Sequence, residues 1–163
     1  MNHDLQDLER SVYLLRFGDG DERAQAIKHI GEAAYAPAIP HLIDLVRESD
    51  PGTRYLAAMA LSKLGDEAES AVEVLLVALR DDDMYLRMAV TASLIAIGTP
   101  SVPGLVKALF DQKAAVRRAS AKALGKIGSE RALTPLRVAL RDPDQGVRQF
   151  VAEAISRIEE RAS

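Results

Sequence analysis

The sequence contains no cysteine and no tryptophan, and only 4% of its 163 residues are aromatic. Without cysteine the chain has no disulfide, no thiolate metal ligand and no thiol nucleophile. Its core must therefore be built from Ala, Leu, Val and Ile. Hydrophobic residues make up 48% of the chain and charged residues 28%, which is typical of a folded globular protein. We expect one domain, residues 1–163, that buries a substantial core.

The sequence also lacks long apolar runs and an excess of positive charge. No apolar stretch approaches the ~20 residues that a membrane span needs, and the first ten residues, MNHDLQDLER, do not resemble a signal peptide. The formal net charge is −3 with both signs interspersed, which argues against a dedicated nucleic-acid binder. These features predict a cytoplasmic protein that binds neither membranes nor nucleic acid.

Recognisable motifs for catalysis or metal binding are missing as well. The histidines, His3, His29 and His41, form no HExxH motif, and the pair of His29 with Glu32 leaves a metal site incomplete. There is no Ser/His/Asp arrangement and no glycine-rich phosphate loop. The acidic run at residues 81–83 is expected to be a solvated loop with a helix cap. We therefore predict no catalytic residues, no metal and no cofactor.

An arginine recurs along the chain at intervals of 30 to 33 residues. These anchor arginines are Arg23, Arg54, Arg87, Arg117 and Arg148. Small or aliphatic residues follow each anchor at helical spacing, and Gly65, Gly98 and Gly128 stand eleven positions after the middle three, where they indicate helix ends. Seven residues before the anchors is a second column, which comprises Arg16, Arg47, Arg80, Phe110 and Arg141. This column ends apolar segments such as HLIDLVR and PLRVALR.

Each unit is therefore predicted to be a pair of helices, with helix A beginning around the anchor and helix B ending before the next one. A two-helix unit cannot bury its apolar faces alone, so the units should stack into a solenoid of about ten helices and four and a half repeats. The expected divisions are a capping helix in 1–18 (helix about 3–17), repeats at 19–49, 50–82, 83–111 and 112–142, and a capping helix in 143–163 (helix about 144–161).

Three local features refine this prediction. Asp50-Pro51 and Asp142-Pro143 each fit a helix N-cap followed by a first-turn proline. Ser11 stands where the other B helices have leucine, which suggests that the first helix is adapted as a cap. The alanine-rich stretch AVRRASAKALGKIG, residues 115–128, has too little side-chain volume to fill a core unless the next repeat comes unusually close.

Residues 111–128, DQKAAVRRASAKALGKIG, resemble the motif of HEAT-repeat proteins, most of all the bacterial and archaeal branch with phycobilisome-lyase HEAT-like repeats. The resemblance covers nearly the whole chain. It implies an all-α, right-handed, armadillo-like superhelix whose B helices line the concave side. Other copies depart from the motif, with Glu22, Thr53 and Leu86 before the anchor arginine and Ser62, Ile95 and Ser156 at the first glycine.

The HEAT-like fold hosts scaffolds, lyases, hydroxylases and glycosylases, so the resemblance alone does not define a function. The paired His-Glu dipeptides of the iron hydroxylases are absent. The acidic charge and the lack of tryptophan disfavour the DNA glycosylases.

The anchor arginines are predicted to be structural, since a residue that occurs once per repeat more often serves stacking than binding. Each lies six positions after a column that is mostly acidic, namely Phe17, Glu48, Asp81, Asp111 and Asp142. Such pairs would form a ladder of hydrogen bonds between neighbouring repeats.

The outward-facing positions of the B helices form the predicted partner-binding surface. On a helical wheel they are Tyr13, Arg16, Ile43, Arg47, Leu76, Val77, Arg80, Val106, Lys107, Phe110, Arg137, Val138 and Arg141. They form an aliphatic strip edged by arginines, with Phe110 between Arg80 and Arg141 as an apolar anchor. Alternatively, the aliphatic residues are partly buried between B helices, and the arginines only complement helix C-termini.

A second candidate interface lies on the A helices of the middle repeats. Their solvent-facing positions are charged in the outer units, but here they hold Tyr55, Met59, Met88 and Ala92. This surface is either a homodimer interface or an alanine-rich surface that needs no partner.

Two functions remain open at this point. The first is a non-enzymatic scaffold that binds a protein partner, such as an acidic and apolar segment, on its concave face. The second, implied by the resemblance, is a small relative of phycobilin lyases or phycobilisome-degradation factors that handles a tetrapyrrole. The arginines would suit bilin propionates and the aliphatic residues the pyrrole rings.

Overall fold

A computed structural model describes residues 2–162 and, from residue 4 onward, their side chains. This part of the chain folds into ten α-helices and contains no strand, as the repeat pattern predicts. The helices are α1 Asn2–Phe17, α2 Gly20–Glu32, α3 Ile39–Glu48, α4 Pro51–Leu64, α5 Val72–Ala78, α6 Met84–Ile97, α7 Val102–Ala108, α8 Ala114–Ile127, α9 Leu133–Ala139 and α10 Gln145–Ala162. Short 3-10 turns precede the later B helices, at Ala36–Ala38, Gly65–Ala71, Thr99–Ser101 and Glu130–Ala132.

The helices stack in two layers, as expected for an α-solenoid. The A helices α2, α4, α6, α8 and α10 pack in succession in one layer. In the other layer α1, α3, α5 and α7 follow one another, and the turn Glu130–Ala132 joins α9 to α7. One continuous core runs between the layers, from Leu15 in the first helix to Ile158 in the last.

The predicted helix ends are confirmed with one exception. The backbones of Gly65, Gly98 and Gly128 have φ values of 59°, 79° and 79° just after α4, α6 and α8, a region that favours glycine. Asp50 caps α4, since its Oδ1 accepts the N–H of Thr53 at 3.0 Å.

The cap predicted at Asp142-Pro143 is wrong. Helix α10 begins at Gln145, and it is Asp144 Oδ1 that accepts the N–H of Val147 at 2.8 Å. The carboxylate of Asp142 is instead bound by Arg117 of the preceding repeat. The Asp-Pro signal alone could not show that this side chain has a stronger partner elsewhere.

The small residues of the A helices lie where neighbouring backbones approach most closely. A Cβ added to Gly125 in α8 would lie 2.7 Å from Cα of Ala154 in α10, and one added to Gly31 in α2 would lie 3.2 Å from Cα of Ala60 in α4. Between α4 and α6, the Ser93 hydroxyl is 2.6 Å from the carbonyl oxygen of Ala58. The alanine-rich segment 115–128 is therefore packed against the next repeat.

Among the described residues, no single helix has both the length and the apolar character of a membrane span. Only α6 taken together with residues Thr99–Ala108 reaches both, and the chain bends by 118° between these two segments.

Candidate functional site

The anchor arginines tie the start of each A helix to the end of the preceding B helix. Arg54 Nε donates to the carbonyl of Val46 at 2.9 Å, and Arg117 Nη1 donates to the carbonyl of Asp111 at 2.8 Å. The residue six positions before the anchor was expected to pair through its carboxylate. The guanidinium groups of Arg87, Arg117 and Arg148 instead donate to the backbone carbonyl of that residue.

The carboxylate contacts of the ladder run forward, to the next repeat. Arg54 binds Asp81 at 2.7 Å, and Arg117 binds both oxygens of Asp142 at 2.7 and 2.8 Å. The hydrogen bond from Arg117 lowers the pKa of Asp142 and raises that of Arg117 itself. The pKa of Asp81 is also lowered, first by the backbone N–H of Asp83 and then by Arg54.

The forward ladder is interrupted in the third repeat. There the carboxylate of Asp111 is held by Arg80, whose Nε lies 3.1 Å from Oδ2, and this arginine comes from the predicted binding surface. Within the described residues, no ion pair involves Arg23 or Arg87, which keep only their backbone contacts. The structural role of the anchor column stays a prediction for mutagenesis to test.

The predicted partner-binding surface, hereafter the concave surface, divides into exposed and half-buried positions. Its exposed apolar members include Val77, with 73% of its surface accessible, and Phe110, with 55%, together with Tyr13 and Val138. The cations on this surface are all exposed, namely Arg16, Arg47, Arg80, Lys107, Arg137 and Arg141.

The remaining aliphatic members form the floor of this surface. Ile43, Leu76 and Val106 are half-buried and pack against the core, as expected if the aliphatic residues are partly covered by neighbouring B helices. Leu76 crosses from α5 to α7 and occupies the space that a side chain at Gly104 would need. A larger residue at this position would require the side chain of Leu76 to move.

A cleft of about 680 Å³ opens between α5 and α7 above this floor. Its walls include Leu76, Arg80, Lys107 and Phe110, so it combines an exposed aromatic ring with two cations, and the carboxylates of Glu73 and Asp111 also line it. A second cleft, of about 450 Å³, lies between α1 and α3 and includes Arg16.

Half of the six concave cations already have a carboxylate partner within the protein. Besides Arg80, Arg47 lies 3.4 Å from Asp44 and Arg137 lies 2.8 Å from Glu159 of α10. Arg16 instead lies over the ring of Phe17, with its guanidinium carbon 5.5 Å from the ring centre. No ion pair involves Lys107 or Arg141 among the described side chains.

The aromatic residue Phe17 is a member of this surface that the sequence interpretation missed. Its exposed ring stacks on Tyr13 with the ring centres 4.8 Å apart, and Arg16 completes the cluster. The signal was present, because Phe17 stands in the otherwise acidic column.

The second candidate interface, the convex patch, is larger than predicted. Met88 is 59% exposed and Tyr55 is also exposed, whereas Met59 and Ala92 are half-buried. Met84 and Tyr85, in the first turn of α6, are exposed as well and were not predicted. The patch therefore spans the outer faces of α4 and α6.

Among the described side chains, no group of three His, Cys, Asp or Glu residues could hold a metal ion. His3 lies outside the described side chains. Nδ1 of His29 lies 2.9 Å from the hydroxyl of Ser11, which is also hydrogen-bonded to the carbonyl of Asp7. Ser11, which was expected to adapt the first helix as a cap, thus joins α1 to α2 through a polar contact.

The acidic run at residues 81–83 contains a helix cap and two ion-paired carboxylates. Asp83 caps α6, while Asp81 binds Arg54 and Asp82 binds Lys113.

Stacked helix pairs with a small-residue lane between the A helices and an arginine at each junction define an α-solenoid. The chain belongs to the HEAT-repeat family, whose model matches residues 12–95 and 102–163. It also resembles the phycobilisome-lyase branch of that family, as its best-matching repeat suggested.

Two relatives carry that resemblance to the lyase branch. The chain is 31% identical over 120 residues to the phycocyanobilin lyase subunit alpha of Picosynechococcus sp. (strain PCC 7002). The aligned region covers 74% of this chain and 36% of that protein. The complex of CpcE and CpcF of phycocyanin lyase from Nostoc sp. PCC7120 superposes with a TM-score of 0.67 at 24% identity, over 94% of this chain and 65% of that one.

A designed protein shares the fold alone. The designed armadillo repeat protein YIII(Dq.V1)4CPAF, solved in complex with the peptide (KR)4, superposes with a TM-score of 0.61 at 16% identity. The superposition covers 93% of this chain and 81% of that one.

Proposed function

We propose that this chain is a non-enzymatic interaction scaffold that binds a protein partner on its concave surface. One observation carries the proposal: Tyr13, Val77, Phe110 and Val138 stay exposed along a single face that also presents six cations. Exposed aromatic residues beside arginines are typical of interface hot spots, and the exposed aliphatic residues on the same face favour a partner that covers them. The proposal includes the cytoplasmic location expected from the sequence.

The proposal is tested by affinity capture from the native host with matched variants. Wild type, the concave double variant Val77→Ser/Phe110→Ser and the convex variant Met88→Ser are immobilised at equal density, and retained proteins are identified by mass spectrometry. We expect a partner that wild type and Met88→Ser retain and the concave variant loses. A partner that all three retain equally would contradict a concave site, provided that thermal melts show all three folded.

A second function is favoured by the resemblance to the lyase subunits. In this candidate the chain is a lyase-like subunit, or a protein associated with phycobilisomes, that handles a tetrapyrrole or a phycobiliprotein. Arginines on the concave surface would bind propionate carboxylates, and the apolar strip would cover the pyrrole rings. The chain spans 36% of the length of the curated relative.

The lyase-like candidate is tested by absorbance spectroscopy. Phycocyanobilin is titrated with wild type, with Arg80→Gln/Arg141→Gln and with the convex control Lys122→Gln/Lys126→Gln. A shifted and sharpened visible band with wild type and the control, lost in the concave variant, would support tetrapyrrole binding. An unchanged spectrum with all three proteins, alone and with apo-phycocyanin present, would leave the scaffold as the better account.

A further inference from the structure

We infer that the concave surface recognises an extended partner segment that carries carboxylates beside an apolar side chain, and that Lys107, one turn from Phe110, and Arg141, in the next repeat, bind those carboxylates. This inference rests on the proposed scaffold function and specifies the chemistry of its partner. The argument has three steps, namely charge, availability and spacing.

The charge of the concave surface is opposite to that of the rest of the chain. The outward columns of the five B helices, taken with Val12 and Asp44, hold six cations and one carboxylate, and the exposed Glu9 and Glu73, one helical turn earlier, add two more carboxylates. This leaves 15 of the 21 lysines and arginines and 21 of the 24 carboxylates elsewhere in the sequence. An acidic protein that concentrates positive charge on one apolar face attracts an acidic ligand to that face and repels a basic one.

The six cations are not equally available to such a ligand. Recruiting Arg80 would strip its partner from Asp111, whose side chain is only 10% exposed, and a carboxylate left unpaired at such a site is costly. Arg47 and Arg137 likewise have internal carboxylate partners, and the guanidinium of Arg16 lies over the ring of Phe17. Lys107 and Arg141 are exposed and have no ion pair among the described side chains, so they can bind a ligand without breaking a contact.

Their placement around Phe110 sets the spacing of the ligand. Phe110 closes the turn after α7, where its N–H donates to the carbonyl of Lys107 at 3.1 Å. Arg141 holds the equivalent place after α9, with its N–H donating to Val138 at 3.3 Å. If α7 and α9 keep the ~8–10 Å spacing of packed helices, an extended chain crosses from one to the other in about three residues at ~3.3 Å each. The apolar side chain therefore lies over Phe110, with one carboxylate near it and another about three residues away.

The inference is tested with defined fluorescent peptides and fluorescence anisotropy. The probe is a fluorescein-labelled nonapeptide, Gly-Glu-Glu-Leu-Glu-Glu-Leu-Glu-Gly, and comparison peptides replace every Glu with Gln or with Lys, or every Leu with Ser. Wild type should bind the Glu/Leu peptide most tightly, at least about tenfold above each of the others. Added salt should weaken this binding because charged contacts are screened.

Three charge variants then separate the roles of the cations. Lys107→Gln/Arg141→Gln should weaken binding of the Glu/Leu peptide about tenfold, whereas Arg47→Gln/Arg137→Gln should weaken it about twofold through the general field. The control Lys122→Gln/Lys126→Gln removes the same charge from the convex side of α8, and it should change binding by less than the second variant. All variants are checked for unchanged melting.

The outcomes distinguish this inference from the proposed function. Equal losses in the two concave double variants, or equal binding of the Glu/Leu and Lys/Leu peptides, would overturn the inferred chemistry. In either of these cases, loss of peptide binding in Phe110→Ala would show that the peptide binds at the concave surface, and the proposed scaffold function would stand. Failure of wild type to bind the Glu/Leu peptide at millimolar concentration would also overturn the inference, whereas peptide binding that Phe110→Ala and Val77→Ser leave untouched would overturn the concave site itself.

Discussion

Arg117 and Asp142 form a bidentate ion pair between neighbouring repeats, with Nε to Oδ2 at 2.7 Å and Nη2 to Oδ1 at 2.8 Å. Both side chains are largely buried, with 12% and 7% exposed. The same guanidinium also donates to the carbonyls of Asp111 and Gln112, so one side chain fastens two repeats. A charged pair of this geometry is stronger than an exposed surface ion pair.

We predict that Arg117→Ala destabilises the protein by about 2 kcal/mol, because it removes charge-assisted hydrogen bonds and leaves a buried carboxylate unpaired. A double-mutant cycle with Asp142→Asn, measured by urea unfolding, should give a coupling free energy of about 1–3 kcal/mol. Partner affinity, measured separately on folded protein, should be unchanged. A loss of affinity without a change in melting would show that the anchor arginine binds the partner instead.

The lowered pKa of Asp142, caused first by the hydrogen bond from Arg117, makes the pair sensitive to acid. Because the folded protein binds this proton less readily than the unfolded chain, the stabilisation is present above the ordinary carboxylate pKa of about 3.9 and is lost as the pH falls through the lower folded pKa. The free energy of unfolding of wild type should therefore fall more steeply below about pH 5 than that of Asp142→Asn. Parallel curves for the two proteins between pH 7 and pH 2.5 would contradict this assignment.

The close contact of α8 with α10 predicts that even one methyl group is excessive at Gly125. An added Cβ would meet the backbone of Ala154, which cannot rotate away, so Gly125→Ala should cost about 1–3 kcal/mol although alanine favours helices. Gly20→Ala in α2 is the matched control, since nothing lies within 4 Å of a Cβ there. Thermal melts of both variants check the prediction, and equal or higher stability of Gly125→Ala would show that the repeats can separate freely.

Much of the fold could be predicted from the sequence because the repeat places each helix relative to the next. The arginine period located all five A helices, and the glycines at 65, 98 and 128 marked three helix ends. The anchor arginines could not be assigned their carboxylates in this way. Arg117 reaches an acid 25 residues ahead, while Asp111 is held by Arg80. Those choices depend on the distances between stacked helices.

The candidate site was predictable to a lesser extent for a related reason. A helical wheel separates core from surface for one helix, but it does not show how far the neighbouring B helix covers its edge. Val77 and Leu76 are adjacent in sequence, yet the first is exposed while the second lies on Gly104. Only the packing of α5 against α7 makes that distinction.

The convex patch predicts self-association through α4 and α6. If Met88 is buried between two copies, Met88→Glu places a charge in an apolar interface, and light scattering should show a shift from dimer to the mass of a single chain. Lys126→Glu, on α8 and outside the cleft that Met88 lines, is the control and should leave the mass of the dimer unchanged. A wild-type protein that is monomeric at several hundred micromolar would exclude this interface.

Phe110 gives the sharpest test of the concave surface, because folding and binding predict different results for its removal. Its ring is 55% exposed, so Phe110→Ala should change the free energy of unfolding by no more than about 0.5 kcal/mol. An exposed aromatic anchor beside cations should nevertheless contribute ~2 kcal/mol or more to partner binding, or roughly thirtyfold in Kd. Urea unfolding and partner titration of the same preparation measure both quantities. A stability loss of ~3–5 kcal/mol would show that the ring acts as part of the core, and unchanged affinity would remove Phe110 from the binding surface.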